Sequence, residues 1–142
     1  MTLQFDNPAA IAPPQGAYSH SVEVPPGAGL IFLSGQVPTG LDGKAPVTLA
    51  EQADLVFANI VAVLAAKSIG PDAIIKLTTF LIEPDTGRSV PQARAKHFAT
   101  HRPASTIMYV KGLMNPAWKI EVEVIAMARP AAQAHNTIKD KP

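Results

Sequence analysis

Residues 118–128, near the C-terminal end, have the sequence Trp-Lys-Ile-Glu-Val-Glu-Val-Ile-Ala-Met-Ala. Side chains alternate with the two-residue period of a β-strand. One face is apolar throughout and comprises Ile120, Val122, Val124 and Ala126. The opposite face changes along its length from charged to apolar, through Lys119, Glu121, Glu123, Ile125 and Met127. This stretch predicts a long strand that is buried on one face and partly covered on the other.

The rest of the chain predicts six further elements. Strands are expected at residues 18–24, 30–33, 74–82 and 106–110. The tight connection 25–29 suggests that the first two form a hairpin. A helix follows Thr48, whose spacing to Glu51 matches a capping box, and Gly70-Pro71 ends it. A weaker helix is expected at residues 89–100, with Pro91 tolerable only in its first turn.

The predicted order is therefore β-β-α-β-α-β-β, an α+β fold with two helices on one face of a sheet. In residues 74–82 one face carries Ile75, Leu77 and Leu81, whereas the other carries Phe80 and Ile82. Two helices cover only one face of such a sheet, and a large exposed apolar face is a liability for a monomer. We therefore expect another subunit to cover the second face.

Size and composition predict one compact domain. The chain has 142 residues, of which 47% are hydrophobic and 16% charged. Residues 1–130 are expected to form a single domain, and residues 131–142 lack periodicity and predict a flexible tail. There is no leader-like N-terminus and no apolar run of about 18 residues, so we expect a cytoplasmic protein that does not engage a membrane.

The net charge and the cysteine and histidine content argue against several classes of function for this chain. The formal net charge of +1 gives no broad attraction to phosphate backbones, so nucleic acid is not an expected partner. Without cysteine, disulfides, thiolate metal sites and a Cys nucleophile are excluded. The four histidines lack acidic neighbours at ligand spacing, so no metal site is predicted.

Several short segments, in order and spacing, resemble the RidA/YjgF family over about residues 14–129. They comprise Gly16 to His20, Ile31 to Pro38, Glu51-Gln52-Ala53, Asn59-Ile60, Ile75 to Thr78, Pro103-Ala104 and Lys119 to Ala126. The resemblance implies a chorismate-mutase-like fold, a cytosolic homotrimer, ligand clefts between subunits and no cofactor. The expected ligand is a small carboxylate or carbonyl compound.

In deaminating members of that family, an Arg after the Pro-Ala pair binds the carboxylate of an imine or enamine, and water releases ammonia and a 2-keto acid. The resemblance implies that Glu121 is catalytic and that Tyr18 and the Ser34-Gly35-Gln36 turn bind substrate. In this chain Ser105 follows Pro103-Ala104. Ser105 lacks the charged bidentate fork of Arg but is kept as a substrate-binding candidate.

Two further positions depart from the deaminating pattern. Pro91 or Gln92 stands where many deaminating members have Asn, and Ile107 stands where they have Cys. Arg102, three residues before Ser105, and Arg94, in the second predicted helix, are candidate compensating cations. Either arginine is equally compatible with a solvated charge near a helix end.

Alternatives remain for the site and for the function. Glu121 is also compatible with an ion pair to Lys119 or to another subunit, and Tyr18 with a core aromatic. With Ser105 in place of Arg, the sequence leaves open an imine deaminase and a non-enzymatic metabolite-binding or regulatory protein. An endoribonuclease or translation inhibitor is disfavoured because no basic stripe is interleaved with aromatics.

Overall fold

A computed structural model describes residues 2–131 of the chain. Its elements, in chain order, are β1 (Gln4–Asp6), β2 (Ser21–Glu23), β3 (Leu30–Gln36), α1 (Leu49–Ala66), a 3-10 turn (Pro71–Ala73), β4 (Ile74–Leu81), α2 (Ser89–Phe98), β5 (Ala104–Tyr109) and β6 (Ile120–Met127). Apart from Ala131, the tail expected at residues 131–142 lies outside the described residues. The α+β class with two helices and a β-sheet is confirmed.

The main sheet has four strands in the order β3-β6-β4-β5. Strand β6 runs antiparallel to both of its neighbours, and β4 and β5 are parallel. Parallel neighbours need a long crossover, which α2 provides between β4 and β5. The predicted strand at residues 118–128 is thus a central strand, which explains why one of its faces is entirely apolar.

The predicted hairpin between the first two strands is wrong. Strand β2 pairs with β1, a short N-terminal strand that the sequence did not predict, whereas β3 pairs with β6. Residues 18–20 do not extend β2 because their backbone N–H groups bond elsewhere: Tyr18 to Gly16, Ser19 to Pro103 and His20 to the side chain of Asn7. The strand expected at residues 18–24 is therefore only three residues long.

The first helix confirms the capping box. The Thr48 hydroxyl accepts a hydrogen bond from the N–H of Glu51, whose carboxylate accepts one from the N–H of Thr48. The helix ends at Ala66, four residues before the predicted Gly70-Pro71 stop. Two residues beyond the helix, Ser68 takes a positive φ of 58°. By length and composition alone α1 is apolar enough to cross a membrane, although Glu51 and Asp54 interrupt its apolar sequence. Its buried side chains pack in the domain core, and such packing is typical of a core helix.

The core lies between the sheet and the two helices. Helix α1 packs on β3 and β6, and α2 packs on α1. The predicted apolar face of β6 is confirmed, since its four residues are at most 1% exposed. In β4, however, Ile74 faces the core in place of Ile75, because an irregularity between Ile74 and Lys76 shifts the register with β6.

The face of the sheet turned away from the helices is open in this chain. Phe32 is 70% exposed, Leu30 48% and Met108 41%. Phe80 and Ile125, which are half-buried, lie on the same face. A contiguous apolar surface of this kind is typical of a face that a partner covers. The homotrimer that would cover it stays a prediction.

Candidate functional site

The carboxylate of Glu121 lies directly over the backbone of Gly35. A Cβ placed on Gly35 would lie 2.8 Å from Cδ and 3.0 Å from Cγ of Glu121. The pairing of β3 with β6 is irregular between Leu33 and Gln36, and this irregularity turns Gly35 toward the open face. Only a glycine leaves room for the carboxylate there. The last three residues of β3, Ser34-Gly35-Gln36, are thus an irregular strand end and not the expected turn, and with Glu121 they form one compact group, the Glu121 group.

The ion pair between Glu121 and Lys119, one of the alternatives that the sequence left open, does not form in the described chain. The Lys119 Nζ atom lies 2.9 Å from a carboxylate oxygen of Glu83. Among residues 2–131, Glu121 has no basic side chain within ion-pair distance. Its carboxylate is half-buried on the open face, beside Ser34, whose side chain is exposed. The Glu121 carboxylate is thus available to a ligand or to another copy of the chain.

A second group lines a cleft of about 480 Å³ at the outer side of α2 and β5. We call it the Arg94 cleft; its lining residues are Gln15, Gly16, Ala17, Tyr18, Asp85, Arg88, Val90, Pro91, Arg94, Ser105 and Ile107. Tyr18 is half-buried at this wall, with its ring edge-to-face on His20, and it does not belong to the buried core. Two of the predicted substrate-binding residues, Tyr18 and Ser105, therefore share a cleft with one of the candidate cations.

Arg94 contacts Ser105, the residue that stands where the family resemblance leads us to expect an Arg. Its Nη1 donates to the Ser105 hydroxyl at 3.3 Å, and its Nη2 donates to the carbonyl of Ala17. Its Nε is buried without a hydrogen-bond partner among the described residues. Burial, aided by the positive charge of Arg102, lowers the pKa of Arg94 to about 10, so the guanidinium is charged at neutral pH. A half-buried cation whose Nε lacks a hydrogen-bond partner favours an anionic ligand.

The three departures from the deaminating pattern meet in this cleft. Ser105, Pro91 and Ile107 all line it. Gln92 does not, because its side chain turns toward the carbonyl of Gly87 and lines a separate shallow depression. Of the two positions left open by the sequence, Pro91 is thus the one that faces the cleft, and it contributes no side-chain donor.

Arg102, the other candidate cation, lies elsewhere. It lines a separate depression of about 710 Å³ with Phe5 and His101, and its carbonyl accepts a hydrogen bond from the Ser19 hydroxyl at 2.7 Å. Arg102 is not among the residues that line the Arg94 cleft. Of the two arginines, the structure brings only Arg94 into contact with Ser105.

The Glu121 group and the Arg94 cleft lie on opposite faces of the sheet. Glu121 is paired with Phe80 in the register of β6 and β4, and both face away from the helices. Ser105 is paired with Leu77, which is 1% exposed in the core on the helix side. Paired residues share a face of a sheet. A small ligand bound at Ser105 therefore cannot contact Glu121 of the same chain.

Sequence reasoning missed Arg88 as a lining residue of the cleft. It stands immediately before α2, with a left-handed φ of 55°, in the connection between the predicted strand at residues 74–82 and the predicted helix at residues 89–100. A cation directly ahead of a predicted helix start was the available signal. In the described part of the chain, no group of three or more His, Asp or Glu residues could hold a metal ion.

Comparison with known proteins places this arrangement in a family. The family model described as Endoribonuclease L-PSP, which represents the YjgF/RidA family, matches residues 9–128. The chain belongs to this family. A solved structure from Yersinia pestis, titled as the Rid family protein YyfB of unknown function, superposes with a TM-score of 0.79 at 25% identity, covering 89% of this chain and 99% of that one.

Two curated RidA/YjgF relatives differ in what their names state. Protein HMF1 from Saccharomyces cerevisiae is 36% identical over 86% of this chain and 89% of its own length. The 2-iminobutanoate/2-iminopropanoate deaminase of Escherichia coli is 30% identical over 90% of this chain and 98% of its own length. The family is thus established, and of these two relatives the one from Escherichia coli carries a deaminase name.

Proposed function

We propose that this RidA/YjgF protein is a homotrimer that binds small carboxylate-bearing imines or enamines in clefts between subunits and hydrolyses them. The single observation that carries the proposal is the separation of Glu121 and Ser105 on opposite faces of one sheet. A cleft containing both requires the open face of one copy to approach the outer side of α2 and β5 of the next. The exposed apolar side chains of the open face support that packing.

In this proposal Arg94 replaces the missing family Arg. Its guanidinium enters from α2 and sits against Ser105, so a charged fork is available near the usual position although it comes from a helix and not from the strand. A carboxylate bound there would also satisfy the buried Nε of Arg94. Ser105 then acts as a neighbour that orients the guanidinium and offers a hydroxyl to the ligand.

The proposed reaction is imine hydrolysis. Glu121 of the adjacent subunit accepts a proton from water as the water oxygen bonds to the imine carbon, and it returns a proton to the departing nitrogen. The hydroxyl proton of the resulting carbinolamine then passes through Glu121 to the nitrogen as the C–N bond breaks, so ammonia leaves and the oxygen remains as the carbonyl of a 2-keto acid. Tyr18 and the Gly35 backbone hold the substrate on either side of the reacting carbon.

The test is hydrolysis of 2-iminopropionate by the purified protein, measured as release of ammonia above the buffer rate. We expect wild-type turnover, and a fall in kcat/KM of about 10- to 100-fold in Arg94→Gln, since an interaction with a charged donor contributes about 1.5–3 kcal/mol. Glu121→Gln should lower kcat. A matched control is Arg129→Gln, which removes an exposed arginine outside the cleft.

If the wild-type protein does not hydrolyse 2-iminopropionate above the buffer rate, the proposed hydrolase activity is wrong. If the wild-type protein then binds 2-oxobutanoate through Arg94 without hydrolysing 2-iminopropionate, the cleft is that of a non-enzymatic metabolite-binding protein.

A further inference from the structure

We propose that the Arg94 cleft selects 2-imino and 2-oxo acids that carry a second, distal carboxylate, which Arg88 binds. The inference rests on the proposed function and names its substrate class. It starts from the presence of two arginines, Arg88 and Arg94, among the residues that line one cleft.

Within the described part of the chain, the charge of Arg88 is not used in an ion pair. Among residues 2–131, no carboxylate lies within ion-pair distance of it. The acidic residue of the cleft, Asp85, is engaged with the start of α2, where its two oxygens accept hydrogen bonds from the N–H groups of Ser89 at 2.7 Å and Val90 at 2.8 Å. Arg88 is therefore available to an anionic ligand group.

The two arginines differ in depth. Arg94 is half-buried and touches Ser105, whereas Arg88 is exposed and immediately precedes the first residue of α2. Arg88 and Arg94 are six positions apart, which corresponds to a rise of about 9 Å along a helix. Their long side chains can bring the two guanidinium groups closer together than this rise. The cleft thus offers one inner cation and one outer cation.

Apolar side chains line the same cleft as the two cations. Val90, Pro91 and Ile107 contribute carbon surface and no hydrogen-bond donor from their side chains. Methylene groups joining two carboxylates suit such a wall, because burial of CH₂ groups is favourable there. The arrangement therefore fits a dicarboxylate of about five or six carbons: the inner carboxylate, beside the reacting carbon, binds Arg94, and the distal one binds Arg88.

The test compares two stable keto acids of equal length, 2-oxoglutarate and 2-oxopentanoate, by isothermal titration of the assembled protein. They differ only in the terminal carboxylate. We expect wild type to bind 2-oxoglutarate about fivefold more tightly, because Arg88 is exposed and such pairs contribute up to about 1 kcal/mol. Arg88→Gln should abolish this preference, whereas Arg129→Gln should keep it.

Equal binding of the two acids by wild type, or a preference that survives in Arg88→Gln, overturns the inference. If 2-iminopropionate is hydrolysed in an Arg94-dependent manner at the same time, the proposed function stands and only the dicarboxylate preference fails. If neither acid binds and no imine is hydrolysed, both proposals fail together.

Discussion

The carboxylate of Glu121 occupies the space that any side chain at position 35 would need, with Cδ 2.8 Å from the Cβ position of Gly35. This contact joins the irregular end of β3 to the central strand β6. It also explains why a glycine stands at this point of β3, since a Cβ would displace the carboxylate. A substitution at Gly35 therefore tests directly whether the position of Glu121 matters for activity.

Gly35→Ala is expected to disable the site while the protein still folds. The added methyl forces the flexible Glu121 side chain aside, at a cost of about 1–2 kcal/mol of unfolding free energy. Hydrolysis of 2-iminopropionate should fall by about 100-fold, since a displacement of 1 Å can cost that much. Gly112→Ala is the matched control, because its Cβ meets nothing within 4 Å. Equal activity in the two variants would contradict the assigned role of Glu121.

Exchange of the residues at positions 94 and 105 tests the origin of the cation. Ser105→Arg alone should not raise hydrolysis, because the new guanidinium would be forced against that of Arg94, whose Nη1 is 3.3 Å from the Ser105 hydroxyl. The double variant Arg94→Ser with Ser105→Arg should recover most of the kcat/KM that Arg94→Ser loses. A severalfold gain from Ser105→Arg in the presence of Arg94 would mean that the native cleft lacks a working cation.

The open face of the sheet should determine the oligomeric state. Phe32 is 70% exposed in the isolated chain, and Phe32→Lys places a charge where we expect a partner subunit. Sedimentation should then show a particle of about one chain mass, 15.0 kDa, in place of a trimer. Leu41→Lys, at a fully exposed loop residue, should leave the trimer intact. A trimer that persists in Phe32→Lys would argue against this interface.

Gln52 holds the loops around the first helix to the core. It is fully buried, its amide donates to the carbonyls of Pro46 and Ala117 at 2.8 Å each, and its oxygen accepts from the N–H of Lys119 at 2.7 Å. Gln52→Leu should lower the free energy of unfolding by about 3 kcal/mol, because buried backbone groups lose their partners. The control Gln92→Leu, at an exposed site, should change it by less than about 0.5 kcal/mol. Chemical denaturation measures both.

Periodicity and capping sufficed to predict most of the fold. The alternation in residues 118–128 and the Thr48–Glu51 pair each act through local geometry, so a single segment contains the whole signal. The pairing of β2 with β1 depends on where N–H groups of residues 18–20 bond, which distant residues such as Pro103 decide. The Ile74–Lys76 irregularity likewise arises from the register with β6 and leaves no local pattern.

The candidate site was predicted as a set of residues but not as an arrangement. The family resemblance selected Glu121, Gly35, Tyr18 and Ser105, yet spacing alone does not tell which faces they occupy. The contact of Arg94 with Ser105 joins a helix to a strand eleven residues away and depends on how α2 lies beside β5. Only the three-dimensional structure distinguishes Arg94 from Arg102.

Subunit complementation tests the central claim that each site draws on two chains. Arg94→Gln and Glu121→Gln chains, carrying different tags, are co-expressed, and trimers containing both are purified. If clefts join Arg94 of one copy to Glu121 of the next, one of the three clefts in every mixed trimer contains both intact residues, so these trimers should show about one third of wild-type 2-iminopropionate turnover. Activity of the mixed trimers no higher than that of the two single-variant proteins would contradict the claim.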